Sequence, residues 1–406
     1  MLCSATMSDV VLVRFVRSLI VCCCVAIFLM LIGYGVIRWR VCASGPLMIE
    51  KAERALSRRE NGRARELLKW LLWFDSQEQR ALLIVGVSFN ADQRFPEAIS
   101  VLERISEESD AFEQGGIALA SSLIFDGQLQ RAESILKRQL ARFPESRDAH
   151  NRLVRLYLKE LREREAEISL LDRWHRYPDD LSVLPDLLEL SAKTVTPHGR
   201  VGVLEAADKK YPDQAEVVLG LARGYSGMGM IESAQARFEA ALKLRPDDPM
   251  TRVLAAEFYL DCGNLDRARS ILSIESNFIL DGSFIGERDD QYWFVRCRIA
   301  EQSGDVANAY ANLQKALVLR PHFEPFVLMQ ATLLQRLGRF DEASQAALRA
   351  AELAEKRKQL LIASEKFNRD RPDPAHCLAI ADLLDAMGDE SQAAGWRRLS
   401  AAAILP

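Results

Sequence analysis

A period of 34 residues is the feature that most constrains the fold of this chain. It is marked by four prolines at the same spacing: Pro144, Pro178, Pro212 and Pro246. Each proline closes a segment with the same internal pattern of apolar and small residues. Periods of roughly 20 to 50 residues are typical of architectures in which one supersecondary unit recurs. The chain is therefore expected to form an array of similar units rather than several globular domains.

Segment 215–248 shows the pattern most clearly. Its apolar positions recur every three or four residues in two stretches, which indicates two amphipathic helices. Ala222 and Ala234 fall where these helices would cross most closely, since only small side chains allow that approach. Gly229 can adopt the left-handed conformation that ends the first helix, and Pro246 cannot continue the second. Each unit is therefore predicted to be a helical hairpin.

This pattern resembles the tetratricopeptide repeat. In segment 215–248, repeat positions 7, 8, 11, 15, 20, 24, 27 and 32 are Leu221, Ala222, Tyr225, Gly229, Ala234, Phe238, Ala241 and Pro246. Position 20 is alanine in eight of nine successive repeats: Ala98, Ala132, Ala166, Ala234, Ala268, Ala309, Ala343 and Ala393. The resemblance covers nearly all of the chain after residue 45. It implies an all-α, right-handed α-solenoid of about nine to ten helical hairpins.

The repeat frame predicts how the chain is divided. After a tail, 1–17, and an apolar segment, 18–37, comes a capping repeat at 45–78, whose second helix is expected to be shortened. The segments that follow are six repeats at 79–282, an insertion at 283–289, two repeats at 290–357, an extended helix or linker at 358–373 and a C-terminal repeat at 374–406. The insertion either contacts a partner or covers the seam between repeats.

Segment 181–214 departs most from the pattern. Arg200 takes the place of the alanine, and Pro185 and Pro197 are additional prolines. An arginine buried at a close helix crossing would be costly unless it were paired, so a local shift of the frame is expected. The segment is either a bend in the solenoid or an irregular repeat that still stacks. The tolerance of repeat arrays for irregular members favours the second interpretation.

The N-terminal segment 18–37 is a run of 20 uncharged and mostly apolar residues. Two arginines precede it and two follow it: Arg14, Arg17, Arg38 and Arg40. A helix of this length spans the hydrocarbon layer of a bilayer, which is about 30 Å thick. Tyr34 and Trp39 lie where interfacial aromatic residues are expected. The run is therefore predicted to be a transmembrane anchor.

A cleaved signal peptide is the alternative for this run. Its apolar core would normally be shorter, and the available site after Val41-Cys42-Ala43 lies beyond Arg38 and Arg40. The arginines at the two ends are balanced, so they do not decide the orientation. A short tail before one early span favours a single-pass protein of the bacterial inner membrane, with its repeats outside the cytoplasm. The run from Met387 to Trp396 is similar to the closing repeat of some bacterial envelope proteins.

Motifs of catalysis and of cofactor binding are missing from the sequence. None of the five histidines lies in an HExxH pattern, and there is no Walker loop, GxSxG elbow or CxxC pair. Cys297 and Cys377 fall at repeat positions that face the interior, and a packed role is also expected for His150. From residue 41 onward the formal net charge is −7, which argues against nucleic acid or an anionic membrane as the main ligand. No enzyme, cofactor, metal or small-molecule substrate is predicted; an active site built on the concave face is the alternative.

Tetratricopeptide proteins line a concave surface with their first helices, and repeat positions 2, 5, 9, 12 and 13 face the ligand. Position 9 alternates in charge here, and position 5 is mostly apolar. The charged row is either an ion ladder between repeats or a surface for an extended peptide or helix, and both can hold. The resemblance thus implies a protein–protein interaction scaffold, and the apolar run 18–37 predicts that it is anchored to a membrane. The predicted groove residues are Asn151, Arg155, Glu189, Arg223, Glu257, Phe294 and Arg298.

Overall fold

The computed structural model describes Met30 and residues 32–36, 38–192, 198–272 and 289–404. In these ranges the regular elements are helices, and there is no strand. The chain divides between Asp126 and Gly127 into two compact units, which we call the N-terminal and C-terminal units.

The N-terminal unit contains two helical hairpins and a fifth helix. They are α1 Gly45–Ser57, α2 Asn61–Phe74, α3 Gln79–Ala91, α4 Phe95–Leu102 and α5 Phe112–Asp126. Helix α1 pairs with α2 and α3 pairs with α4, while α1, α3 and α5 pack side by side. Small and branched residues, such as Ala52, Ala64 and Leu68, are fully buried where these helices meet.

The second helix of the first repeat is longer than expected. Helix α2 has 14 residues, the same length as α12 in the C-terminal unit. The prediction of a shortened helix is therefore wrong. Ala64, Leu68 and Leu71 form a stripe at helical spacing that is buried along the whole of α2, and this burial stabilises the full length.

The C-terminal unit contains most of the helices. They are α6 Leu129–Arg142, α7 Arg147–Lys159, α8 Glu163–Arg176, α9 Leu184–Ala192, α10 His198–Lys210, α11 Ala215–Gly227, α12 Ile231–Leu244, α13 Pro249–Asp261, α14 Leu265–Leu272, α15 Asp290–Gln302, α16 Val306–Leu319, α17 Glu324–Arg336, α18 Phe340–Lys366, α19 Pro374–Ala386 and α20 Glu390–Ile404. A 3-10 turn at Leu181–Val183 precedes α9. Hairpins pair α7 with α8, α11 with α12, α13 with α14, α15 with α16, α17 with α18 and α19 with α20.

Repeat positions 20 and 15 define the hairpins, the first by a close helix crossing and the second by a left-handed turn. All eight alanines at position 20 are buried, which confirms the predicted close crossing. Gly229, at position 15, has φ of +72°, which confirms the left-handed end of a first helix. Left-handed backbone recurs at position 15 in other repeats, including three non-glycine residues: Arg59, Gln93 and Leu161. The turn is thus kept even where the residue does not favour it.

Segment 181–214 does not form one hairpin. Helix α9 packs against α8, α18 and α20, whereas α10 packs against α11. Arg200, at position 20, donates a hydrogen bond to the backbone carbonyl oxygen of Leu158. The arginine side chain is too large for the close crossing that alanine allows, and its guanidinium is hydrogen-bonded to α7 instead. The segment therefore packs on its neighbours α8 and α11, while its own two helices do not pair.

The C-terminal unit also brings together residues that are far apart in the chain. The indole Nε1 of Trp174 donates to Ser391 Oγ at 2.8 Å, and Arg398 pairs with Asp179 at 2.8 Å. Gly395 allows this approach, because a Cβ atom there would lie 2.5 Å from the Trp174 ring. Helices α8 and α9 are thus covered by the C-terminal repeat.

Part of the predicted division lies outside the described residues. Of the predicted transmembrane segment 18–37, the structure describes Met30 and residues 32–36, which are helical. Of the insertion at 283–289, it describes Asp289. Among the residues that are described, no helix is both long enough and apolar enough to cross a membrane.

Candidate partner-binding groove

Three successive first helices carry a polar row. Arg223 on α11, Glu257 on α13 and Arg298 on α15 occupy position 9 of their repeats, and α13 and α15 pack side by side. Arg298 Nη1 lies 3.9 Å from Glu257 Oε1, and Arg298 Nη2 donates to Asp261 Oδ1 at 2.6 Å. All three side chains are partly exposed. The row therefore presents charge to solvent from a fixed position.

Neighbouring polar groups hold Glu257 in place. Gln291 Nε2, on the next first helix, donates to Glu257 Oε2 at 2.7 Å. Burial raises the pKa of Glu257 above its usual range, while Gln291 and Arg298 act in the opposite direction. A partly buried carboxylate whose partners are already in place can accept charge-assisted hydrogen bonds.

Arg223 has a different partner from the one that the ladder predicts. Its Nη2 donates to Glu163 Oε2 at 2.8 Å, and Glu163 is the first residue of α8. Glu189, the neighbour expected from the frame, lies instead 3.6 Å from Arg369 Nη2. The ladder thus joins Glu257 and Arg298 but not Glu189 and Arg223. The displacement of α9 from its place beside α11 accounts for this difference.

The first turn of α8 adds further charges next to the row. Arg164 Nη2 donates to Asp289 Oδ1 at 2.7 Å and also contacts Asp290 at the start of α15. Glu167 accepts from Arg320 Nη2 at 3.2 Å. These residues belong to the second helix of their repeat, so the family pattern does not mark them as groove residues. Their partners are 125 to 153 residues away, and no local signal in the sequence identifies them.

The remaining predicted groove residues lie apart from this row or beneath it. Asn151 Oδ1 accepts from Arg173 Nη1 at 2.9 Å, and Arg155 is exposed on α7. Phe294 packs against Phe326 with ring centroids 4.8 Å apart. The structure therefore brings Arg223, Glu257 and Arg298 together and gives the others separate surroundings.

The apolar residues at position 5 change in exposure along the C-terminal unit. Leu219 and Val253 are buried beside the polar row. Leu328 on α17 and Leu378 on α19 are exposed. Apolar side chains are thus available on the first helices of the last two repeats, while the middle repeats offer polar contacts.

A buried group of charges lies where α7 ends and α8 begins. Arg162 Nη1 donates to Glu160 Oε2 at 2.9 Å and to Glu133 Oε2 at 2.8 Å. Glu160 is fully buried, and this burial raises its pKa to about 8. A Cβ atom at Gly220 would lie 2.5 Å from the Glu160 carbonyl oxygen, so α11 crosses this turn closely. These charges support the helix that carries Arg223.

The thiols and the histidine singled out in the sequence have structural surroundings. Cys297 and Cys377 are fully buried, as predicted, and burial raises the pKa of Cys297 to about 12. His150 is also buried, with Nε2 2.9 Å from the Pro144 carbonyl oxygen. Burial lowers the pKa of His150. In the described parts of the chain, no group of three or more His, Cys, Asp or Glu side chains could hold a metal ion.

Several solved structures are similar to this chain. MamA from Desulfovibrio magneticus RS-1 is 14% identical, with 44% of this chain and 96% of that chain covered and a TM-score of 0.33. The anaphase-promoting complex hetero-tetramer Cut9–Hcn1 is 11% identical, with coverage of 88% and 80% and a TM-score of 0.39. PilW, a type IV pilus biogenesis factor, is 16% identical, with coverage of 55% and 92% and a TM-score of 0.34.

Two family models match parts of the chain. Both are described as tetratricopeptide repeat, and they match residues 117–180 and 226–274. The second range contains the hairpin α13–α14 with the position-20 residue Ala268. No curated protein shows significant sequence similarity to the chain.

Proposed function

This chain is a tetratricopeptide repeat protein, and we propose that it is a membrane-anchored α-solenoid scaffold. In this proposal, an extended or helical segment of a partner protein binds along the first helices of the C-terminal unit. The observation that carries the proposal is the row Arg223, Glu257 and Arg298, with charged side chains on three successive first helices. The proposal includes no reaction, cofactor or nucleic acid.

The row suits a peptide segment because its side chains are already ordered. Arg298 is held by Asp261 at 2.6 Å, and Glu257 is held by Gln291 at 2.7 Å. Immobilising a long side chain costs about 0.5–1.5 kcal/mol on association, and these contacts reduce that cost. A partner backbone can then add hydrogen bonds to groups that keep their own ion pairs. Leu328 and Leu378 would receive apolar side chains of the same segment.

The anchor in this proposal is the run 18–37. Its length of 20 residues and the arginines at both ends support a single span. We propose the bacterial inner membrane, with the repeats outside the cytoplasm. Carbonate extraction of the full-length chain tests the anchor. Recovery in the soluble fraction, with a new N-terminus near Ser44, would show a cleaved signal peptide instead.

The groove is tested by charge reversal in the full-length chain. We expect the Arg223→Glu and Arg298→Glu variants to lose capture of the partner from detergent-solubilised membranes while their circular dichroism stays native. Arg267→Glu is the control, since Arg267 also forms an ion pair, with Glu239 at 2.8 Å, but lies on a second helix. Its side chain is 40% exposed, against 23% for Arg223 and 20% for Arg298. Unchanged capture by both row variants would move the binding surface elsewhere. Equal loss in all three variants would indicate an effect of stability rather than of the groove.

A further inference from the structure

The six tryptophans of the chain fall into two sets. Trp174, Trp293 and Trp396 are 1%, 8% and 0% exposed, as expected for large side chains in a core. In contrast, Trp39 is 72% exposed, and in α2 Trp70 is 58% and Trp73 is 62% exposed. Leaving three indoles in water is unfavourable, since each carries a large apolar surface. The exposed set lies entirely in the N-terminal unit.

Three of the exposed rings form a connected surface. Trp70 and Trp73 have ring centroids 6.0 Å apart, and Tyr34 lies 6.1 Å from Trp73. Phe74 fills the space behind them, 4.5 Å from Trp73 and 5.5 Å from Tyr34. With Trp39, these residues make what we call the aromatic surface: Tyr34, Trp39, Trp70 and Trp73.

The position of the aromatic surface follows from the hairpin. The C-terminal end of α2 returns to the start of α1, where a Cβ atom at Gly45 would lie 3.3 Å from Leu71. The chain before Gly45 leads directly back to the run 18–37. Tyr34 belongs to that run, and Trp39 follows it by two residues, which is about 3 Å along a helix. The aromatic surface therefore lies at the boundary of the apolar run.

We propose that the aromatic surface sits in the headgroup region of a lipid bilayer and docks the first repeat onto the membrane. This inference rests on the proposed membrane anchor and adds a second contact to it. Tryptophan and tyrosine are enriched at the membrane interface because their rings have an apolar body and a polar edge. Arg38 and Arg40 are adjacent in sequence, and they would meet the phosphates of anionic lipids. The docking would fix how the N-terminal unit is oriented to the bilayer.

Fluorescence of the full-length chain in phosphatidylcholine–phosphatidylglycerol vesicles with brominated acyl chains tests this inference. Bromine quenches indoles that are within the bilayer, and aqueous iodide quenches those in water. We expect Trp70→Phe with Trp73→Phe to remove most of the emission that brominated lipid quenches, apart from the share of Trp39. Trp293→Phe is the control, because it removes a buried indole and should leave the lipid-quenched emission unchanged.

Each other outcome has a distinct meaning. If the chain sediments with vesicles but iodide alone quenches Trp70 and Trp73, the anchor stands and the docking is wrong. If neither reagent quenches them, a protein surface such as a second copy covers these residues, which also overturns the docking. If the chain does not sediment with vesicles, both the anchor and the docking fail.

Discussion

The hairpin of α11 and α12 and the segment of α9 and α10 hold successive places in one repeat frame, yet they pack differently. In the hairpin, Ala234 is fully buried where the two helices cross. In the segment, the same position is Arg200, which reaches the carbonyl oxygen of Leu158. The helices thus pair where this position is alanine and are separated where it is arginine. The difference indicates that the volume and charge of the side chain at position 20 decide whether the two helices can cross closely.

Separation of α9 and α10 has a further effect on α11. With α9 packed against α18 and α20, helix α11 packs against α6 and the turn after α7. Gly220 allows the approach to this turn, because a Cβ atom there would lie 2.5 Å from the Glu160 carbonyl oxygen. Gly224 allows a close approach to α10, because a Cβ atom there would lie 2.4 Å from Val201. The repeats on the two sides of the irregular segment are therefore in direct contact, where α11 approaches the backbone of the turn after α7.

Placing the arginine of the irregular segment at the regular crossing should have the largest effect on stability. Ala234→Arg places a charge with no room at a fully buried position, and we expect the free energy of unfolding to fall by about 4 kcal/mol. Urea denaturation followed by circular dichroism measures the loss. Gln235→Arg, one residue further on the exposed side of α12, should cost less than about 0.5 kcal/mol. Equal losses would mean that position 20 is not the close crossing.

Adding a methyl group at Gly220, where α11 approaches the turn after α7, should have an intermediate effect on stability. Gly220→Ala forces α11 away from the Glu160 carbonyl oxygen, which is backbone and cannot rotate aside, so we expect a loss of about 2 kcal/mol. Gly202→Ala is the matched control in α10, where a Cβ atom meets nothing within 4 Å. It should raise stability by about 0.5–1 kcal/mol through helix propensity. Thermal melts of both variants decide the case, and a neutral Gly220→Ala would show that α11 does not cross there.

Replacing Glu160, next to this approach, should have the smallest effect on stability at low pH, and its effect should depend on pH. Burial raises the pKa of Glu160 to about 8, above the ordinary value of 4.5. The folded state therefore keeps a proton that the unfolded state releases, so the contribution of Glu160 is full below pH 4.5 and is lost as pH rises toward 8. We expect Glu160→Gln to differ little from the natural chain at pH 5 and to become progressively more stable than the natural chain as the pH rises to 9.

Urea melts at both pH values check this expectation. The control is Glu352→Gln on α18, where the side chain is exposed. It should shift stability equally at both pH values. A constant difference between Glu160→Gln and the natural chain would mean that Glu160 is ionised in the folded protein.

The repeated parts of the fold could be predicted because their determinants are local. Ala98, Ala234 and Ala393 each specify a crossing within their own repeat, and Gly229 specifies a turn within 34 residues of one repeat. The departure at Arg200 was also visible, but its outcome was not. Whether a displaced helix bends or still stacks depends on the partner that it finds, and α9 finds its partners in α18 and α20.

The candidate groove shows the same limit. The repeat frame predicted that Glu257 and Arg298 lie near each other, because both are at position 9 of adjacent repeats. It did not find Glu163 as the partner of Arg223, since the two are 60 residues apart in non-adjacent repeats. The aromatic surface is a similar case. Trp70 and Trp73 read as ordinary apolar residues of a second helix, and their exposure is apparent only once the first hairpin is built.

The contact of Trp174 with Ser391 has a consequence for how the protein is made. The two residues are 217 positions apart. At about 5–20 residues per second, a ribosome takes about 10–45 s to synthesise the interval between them. During that time the indole and the neighbouring faces of α8 and α9 lack their cover. A newly made chain therefore carries an unfinished apolar surface until Ser391 and its helix have been synthesised, a period in which chaperones have access to this surface and a stalled ribosome would leave it open.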